Sequence, residues 1–166
     1  MKDKKLLSDI KEYLKCYENQ VLEDWYELIR HISVSETGEG IETCCDWIQK
    51  KMEEIGIQVT KYSVKPAPVL VGRFGNDPEK KTVLIYAHYD VKPAGERKLW
   101  HSDPFVPTVR DGKVYARGSA DNKSPLMAHL KALEYFIRRK MEVPVNVIFV
   151  FEGDEECGSR GLEEFL

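Results

Sequence analysis

The stretch VLIYAHYDV, residues 83–91, decides the fold class of this chain. Its first half is a nearly continuous apolar run, which is typical of a strand covered by helices on both faces. A second such run, VNVIFVF, follows at residues 145–151. Between them lies a helical pattern at 125–139, where Ser124 can cap the helix and Pro125 suits its first position. Buried strands that alternate with helices predict an α/β fold, a three-layer sandwich around a mostly parallel sheet.

Further elements are predicted upstream of this stretch and between the two strands. Apolar residues at helical spacing indicate two helices, and alternation of apolar and polar residues indicates strands. Asp111–Gly112 between strand-like flanks is a strong hairpin signal. The predicted elements are helices at 5–30 and 40–55, strands at 57–64 and 69–74, and a hairpin at 109–116.

The composition excludes two classes of partner. A net charge of -3 and a pI of about 5.9 argue against nucleic-acid binding, which needs clustered basic residues on a net basic background. No apolar stretch approaches the roughly 20 residues needed to span a bilayer, and the N-terminus lacks the apolar core of a signal peptide. We therefore expect a cytoplasmic protein with no membrane partner.

Polar side chains follow both buried strands at the edge where ligands gather in α/β sheets. His88 and Asp90 end the first strand, and a loop carrying Asp121 precedes the helix at 125–139. Like charges packed closely need a cation or shared protons, and a metal ion is the simplest answer. The acidic residues that follow the second strand are Glu152, Asp154, Glu155 and Glu156.

The residue types indicate which metal chemistry is expected. Imidazole and carboxylate ligands suit zinc, and a carboxylate can bridge two ions roughly 3.5–4 Å apart. Asp90, two residues after His88, could accept the second N–H of the imidazole. Adjacent Glu155 and Glu156 cannot point the same way, so one could ligate while the other handles a water proton.

Residues 83–166 resemble the catalytic domain of the dizinc peptidase family that contains carnosine dipeptidases, aminoacylases, acetylornithine deacetylases and succinyl-diaminopimelate desuccinylases. The resemblance implies a zinc exopeptidase-like catalytic domain, and the dipeptidase branch is the most similar. It rests on four motifs: HYDV at 88–91, WHSDPF at 100–105, DGKVYARGSADNK at 111–123 and EGDEECGSRGL at 152–162.

The resemblance also implies a role for each site residue. His88 would bind one zinc ion, Asp121 would bridge two, and Glu156 would bind the other. Asp90 would orient His88, and Glu155 would be the general base. The family further implies a cis peptide bond after the bridging aspartate, between Asp121 and Asn122. Two zinc ions are expected in the complete enzyme, with manganese or cobalt as alternatives.

The function that follows is zinc-dependent hydrolysis of a peptide or amide bond in a dipeptide or small peptide. An N-acyl amino acid deacylase is the alternative activity, and a non-catalytic remnant of such a domain is a third reading. A metal-free hydrolase with paired carboxylates, as in glycosidases, would leave His88 without a role.

The family places another acidic ligand and a final histidine downstream of Leu166, together with a lid domain that often dimerises. Residues 1–166 are therefore expected to be the N-terminal part of the catalytic domain, incomplete at the C-terminus and without the lid domain. We expect this fragment to bind zinc weakly and to hydrolyse nothing alone, and the complete protein to be a candidate homodimer.

Overall fold

The computed structural model describes residues 2–166, which form four α-helices, six strands and three shorter helical segments. Both apolar runs of the sequence form strands, and the segment with Ser124 and Pro125 begins a helix, as predicted. In chain order the elements are α1 (Lys2–Arg30), α2 (Ile41–Ile55), β1 (Gln58–Tyr62), β2 (Val69–Phe74), β3 (Thr82–His88), β4 (Thr108–Arg110), β5 (Lys113–Tyr115), α3 (Ser124–Arg138), β6 (Asn146–Glu152) and α4 (Arg160–Phe165).

The main sheet has four strands in the order β1-β2-β6-β3. β3 and β6 are parallel, and the crossover connection that a parallel pair needs contains helix α3. The other two pairings, β1 with β2 and β2 with β6, are antiparallel. The α/β class is thus confirmed, and the sheet is mixed, with its parallel pair at the β3 edge.

The main core fills one face of this sheet. Phe149 and Phe151 of β6 are fully buried and lie in one cluster with Leu70 of β2 and with residues from α2 and α3. Gly72 of β2 allows the close approach of α2, because a Cβ there would lie 2.2 Å from the Met52 Cε. Helices α2 and α3 therefore cover this face, and α1 packs on both of them.

The opposite face carries α4, whose Phe165 stacks edge-on against Tyr62 with ring centroids 4.9 Å apart. Helices lie on both faces of the sheet, as the predicted sandwich requires. β3 is only partly covered on this face, where the side chains of Leu84 and Tyr86 are 62% and 43% exposed.

Local signals placed the ends of several elements. α2 stops at Gly56, which adopts a left-handed conformation with φ 94°. Asp111 and Gly112 both have positive φ, 50° and 71°, as the predicted tight hairpin between β4 and β5 needs. Every helix within residues 2–166 is too short or too polar to span a lipid bilayer.

Candidate metal centre

The candidate site lies where the two parallel strands end. β3 and β6 are paired in register with His88 opposite Glu152, so the loops that follow both strands leave the same edge of the sheet. A third loop, residues 118–123, leads into α3. It can lie close to the β3 loop because Gly118 has no side chain: a Cβ there would sit 2.4 Å from the Val91 Cγ1.

His88 and Asp90 form the buried base of the site. Both are almost inaccessible, at 4% and 0% exposure. The His88 Nδ1 lies 3.2 Å from the Asp90 Oδ1 and 3.1 Å from the Asp90 backbone oxygen. The carboxylate of Asp90 also accepts the backbone N–H groups of Glu155 and Glu156, at 3.2 and 3.1 Å. Asp90 therefore fixes the imidazole and ties the β3 loop to the β6 loop.

The second imidazole nitrogen of His88 points toward two carboxylates. Its Nε2 lies 3.1 Å from the Asp121 Oδ1 and 3.6 Å from the Glu155 Oε2. The Asp121 side chain is 75% exposed and that of Glu155 is 43% exposed, so solvent reaches this point. One nitrogen and two carboxylates from three different loops thus meet at the surface of the domain.

These neighbours change the pKa values of the buried pair. Burial alone would lower the pKa of His88, but the hydrogen bond and charge of Asp90, with the charges of Glu155 and Asp121, raise it to about 9. Burial alone would raise the pKa of Asp90, but hydrogen bonds from His88, Ser35 and the Glu156 backbone hold that pKa below its ordinary value. These neighbours therefore favour an imidazolium beside a carboxylate.

Glu156 has a different neighbour. Its side chain is 16% exposed, and its Oε2 lies 3.7 Å from the ammonium of Lys92. Among the side chains that the structure describes, no three from histidine, cysteine, aspartate or glutamate are already arranged as ligands around one point. The structure places Asp121 and Glu155 beside the His88 Nε2, and it pairs Glu156 with a lysine.

The other two acidic residues of this edge have structural partners. Glu152 is 1% exposed, and its Oε1 accepts the hydroxyl groups of Tyr86 at 2.5 Å and Ser159 at 2.7 Å. The Asp154 carboxylate pairs with the Arg160 guanidinium at 2.7 and 2.9 Å. Neither carboxylate faces the His88 Nε2, so the acidic cluster divides into structural and solvent-facing members.

The chemistry of this site fits zinc. An imidazole nitrogen held by a buried carboxylate, with carboxylates in front of it, is a common zinc environment. The His88 Nε2 and the Asp121 Oδ1 lie 3.1 Å apart, and both are suitable ligand atoms for one ion. Glu156 would have to leave Lys92 to join them.

Comparison with known proteins identifies the chain. The family model of peptidase family M20/M25/M40 matches residues 84–166, which make up half of this chain. The chain belongs to this family. The resemblance inferred from the four motifs is thereby confirmed.

Individual members of the family show how much of the chain is shared. The chain is 43% identical to the Cys-Gly metallodipeptidase dug1 of Schizosaccharomyces pombe over 120 residues, 70% of this chain and 25% of that protein. It is 35% identical to the succinyl-diaminopimelate desuccinylase of Thiobacillus denitrificans over 130 residues, 78% of this chain and 32% of that protein. The chain spans about a quarter to a third of these relatives.

A solved structure from the same family supports the fold over nearly the whole chain. Human carnosine dipeptidase 1 superposes with a TM-score of 0.90 at 31% identity, over 96% of this chain and 37% of that one. The peptide bond between Asp121 and Asn122 is cis, as the resemblance implied.

Three side chains near the candidate metal centre of this chain were not identified from its sequence. Lys92 lies beside Glu156, Ser35 donates to Asp90, and Lys123 is buried behind the Asp121 loop. Lys92 and Lys123 stand inside the recognised motifs or next to them, so their positions offered a weak signal. Ser35 lies in the loop between α1 and α2, far from any motif, and nothing local to it indicated this contact.

Proposed function

We propose that this chain is part of a zinc-dependent dipeptidase that hydrolyses the peptide bond of a dipeptide or small peptide. The observation that carries the proposal is the position of the His88 Nε2, which lies between Asp121 and Glu155 at the end of two parallel strands. Similarity to a metallodipeptidase and to a carnosine dipeptidase supports this choice of substrate.

In this proposal each site residue has a separate task. His88 and Asp121 would hold one metal ion, Asp121 and Glu156 would hold a second, and Asp90 keeps the His88 Nδ1 protonated and oriented. Zinc ions bound there would polarise the scissile carbonyl and make the attacking water more acidic at neutral pH. Manganese or cobalt would supply the same Lewis-acid chemistry.

Glu155 is the proposed general base. Its carboxylate takes a proton from the attacking water while the water oxygen bonds to the carbonyl carbon. Glu155 then returns that proton to the amine nitrogen as the C–N bond breaks. Its exposure suits this role, because a water molecule and a substrate must both reach it.

Replacement of Glu155 by Gln in the complete protein tests this assignment. The amide keeps the shape of the carboxyl group but cannot accept the proton, so we expect turnover to fall by about 10²–10⁴-fold. Because Glu155 is not a proposed ligand, zinc content measured by atomic absorption should stay nearly unchanged.

The matched control is Glu79→Gln, an equivalent change at an exposed position in the turn before β3. It should retain full turnover and full zinc content. Loss of zinc together with turnover in Glu155→Gln would show that the roles of Glu155 and Glu156 are exchanged. Retention of turnover in Glu155→Gln would remove the general-base proposal.

A second activity is favoured by the similarity to a desuccinylase. An N-acyl amino acid deacylase would use the same site on a different amide. The complete protein, assayed on a panel of dipeptides and N-acyl amino acids with and without chelator, separates the two. Chelator-sensitive cleavage of dipeptides supports the first proposal, cleavage of N-acyl amino acids alone supports the second, and cleavage of neither indicates a non-catalytic domain.

We further propose a cytoplasmic location and a homodimer for the complete protein. A dimer is testable by sedimentation of the complete protein at several concentrations. A single monomeric species at micromolar concentration would contradict that part of the proposal.

A further inference from the structure

Lys123 is a fully buried lysine two residues after Asp121. Only 1% of its surface is exposed. Its ammonium group donates hydrogen bonds to the backbone oxygens of Leu28 at 3.0 Å and His31 at 2.5 Å. Leu28 lies in the last turn of α1 and His31 directly follows that helix, more than 90 residues earlier in the chain. Lys123 therefore connects the Asp121 loop to a distant helix.

The contact is favourable for electrostatic reasons. A buried ammonium group is costly unless hydrogen bonds satisfy it. The last carbonyl groups of a helix have no partner within that helix and carry a partial negative charge. The hydrogen bonds of Lys123 therefore satisfy its buried ammonium group and the free carbonyl groups at the end of α1 together. Among the described side chains Lys123 has no ion pair, and its hydrogen-bond acceptors are the backbone oxygens of Leu28 and His31.

The Asp121 loop has two other contacts, the close approach of Gly118 to Val91 and the contact of Asp121 with the His88 Nε2. The Asp121 side chain is 75% exposed and cannot be held by packing. On the backbone, the Lys123 N–H donates to the Gly118 oxygen at 3.2 Å, which closes the loop on itself. Asp121 and Asn122 depart from helical φ and ψ. The side chain of Lys123 is the buried side chain that links this loop to the end of α1.

We propose that Lys123 is a positioning residue: by anchoring residues 118–123 to the end of α1, it holds the Asp121 carboxylate in front of the His88 Nε2. Lys123 does not touch the metal or the substrate. This inference rests on the proposed metal centre, and it adds α1, which contributes no ligand, to the elements that determine metal affinity.

The test compares Lys123→Met with Lys131→Met in the full chain. Lys131 also links α3 to α1, through Asp24, and its side chain is only 14% exposed. It is remote from Asp121, and its acidic partners keep other cations: Lys51 lies 3.2 Å from Asp24, and Arg138 lies 2.6 Å from Glu134. Both variants therefore remove a largely buried contact with α1 or the residue that follows it. Only Lys123→Met removes a contact next to Asp121.

The measurement is the dissociation constant for Co²⁺, obtained from its visible absorption, together with the urea midpoint of each metal-free variant. Both variants should unfold at lower urea. Lys123→Met should bind Co²⁺ at least about tenfold more weakly than the unmodified chain, as for other residues that orient a ligand. Lys131→Met should bind within about twofold of it. Equal Co²⁺ affinity in Lys123→Met, or equal weakening in both variants, would overturn the inference.

Hydrogen exchange on the unmodified chain provides a second test that does not need a folded variant. Addition of Zn²⁺ should slow amide exchange both in residues 118–123 and at the end of α1, residues 28–31. Slowing in the loop alone would overturn the link. If the complete protein, without substitutions, binds neither Co²⁺ nor Zn²⁺, the proposed metal centre itself fails, which is distinct from the case in which only the role of Lys123 fails.

Discussion

A single side chain, His88, combines the properties on which the proposed chemistry depends. It is buried, Asp90 holds one of its nitrogens, and the other faces two carboxylates. Its pKa is raised to about 9, so the metal-free protein keeps the imidazole protonated at neutral pH. A metal ion must therefore displace a proton from His88, and binding should release protons to the solvent.

The raised pKa of His88 predicts a pH-dependent stability in the presence of chelator. The folded value of about 9 exceeds the unfolded value of 6.5, so the contribution is complete below about pH 6.5 and is lost as pH rises through about 9. The shift corresponds to an upper bound of about 3 kcal/mol. Urea unfolding from pH 6 to 10 should show this loss.

The control for the pH series is His88→Gln, which cannot be protonated in this range. The difference in unfolding free energy between the unmodified chain and this variant should shrink steadily from pH 6.5 to 9. A difference that stays constant over this interval would mean that the imidazole is not protonated preferentially in the folded state.

The residues predicted for the site fell into two groups for a physical reason. His88 and Asp121 lie close together because the ends of parallel strands and the loop before a crossover helix meet by topology, whereas their role as metal ligands stays a prediction. The neighbour of Glu156 was not foreseen, because the contact with Lys92 depends on side-chain direction within two loops. Lys123 was missed because its partners lie in a helix more than 90 residues away.

At the scale of elements, local patterns located helices and strands well but did not determine how the strands pair. The periodic apolar residues of α2 and the Asp111–Gly112 hairpin depend only on neighbours in sequence, and both were predicted. The antiparallel pairing of β2 with β6 joins segments more than 70 residues apart. No local signal encodes such a pairing, so the sequence alone suggested a more parallel sheet than the mixed one observed.

The packing of α2 on β2 gives a prediction for Gly72→Ala. The added methyl group would meet the Met52 Cε and, at 2.9 Å, the Ile57 Cγ2. Overpacking of a dense core typically costs about 1–3 kcal/mol of unfolding free energy, and urea denaturation would measure it. Arg73→Ala, at the exposed neighbouring position, should change stability by less than about 0.5 kcal/mol.

At the scale of the whole molecule, the sheet has one open side. β3 lies at the edge of the sheet, and among residues 2–166 no strand pairs with its outer edge. The side chains of Val83, Leu84 and Tyr86 on this strand are each more than 40% exposed. An edge strand with exposed apolar residues favours association with other chains.

The open side predicts self-association of the 166-residue chain. Leu84→Lys places a charge on the exposed edge strand and should lower the weight-average mass seen by sedimentation at high protein concentration. Val109→Lys makes the same change at a 56% exposed residue of β4, outside the main sheet, and should leave that mass unchanged. An equal effect of both variants would show that net charge, rather than the β3 edge, controls association.

The hydrogen bonds from the backbone of Glu155 and Glu156 to the Asp90 carboxylate also have a consequence for the order of folding. Contacts between residues so distant in sequence close large loops and form late and slowly. The site cannot nucleate on its own, and a synthetic peptide copied from any one of its three loops should have no appreciable affinity for zinc. Metal capture is therefore expected to follow the pairing of β3 with β6 during folding.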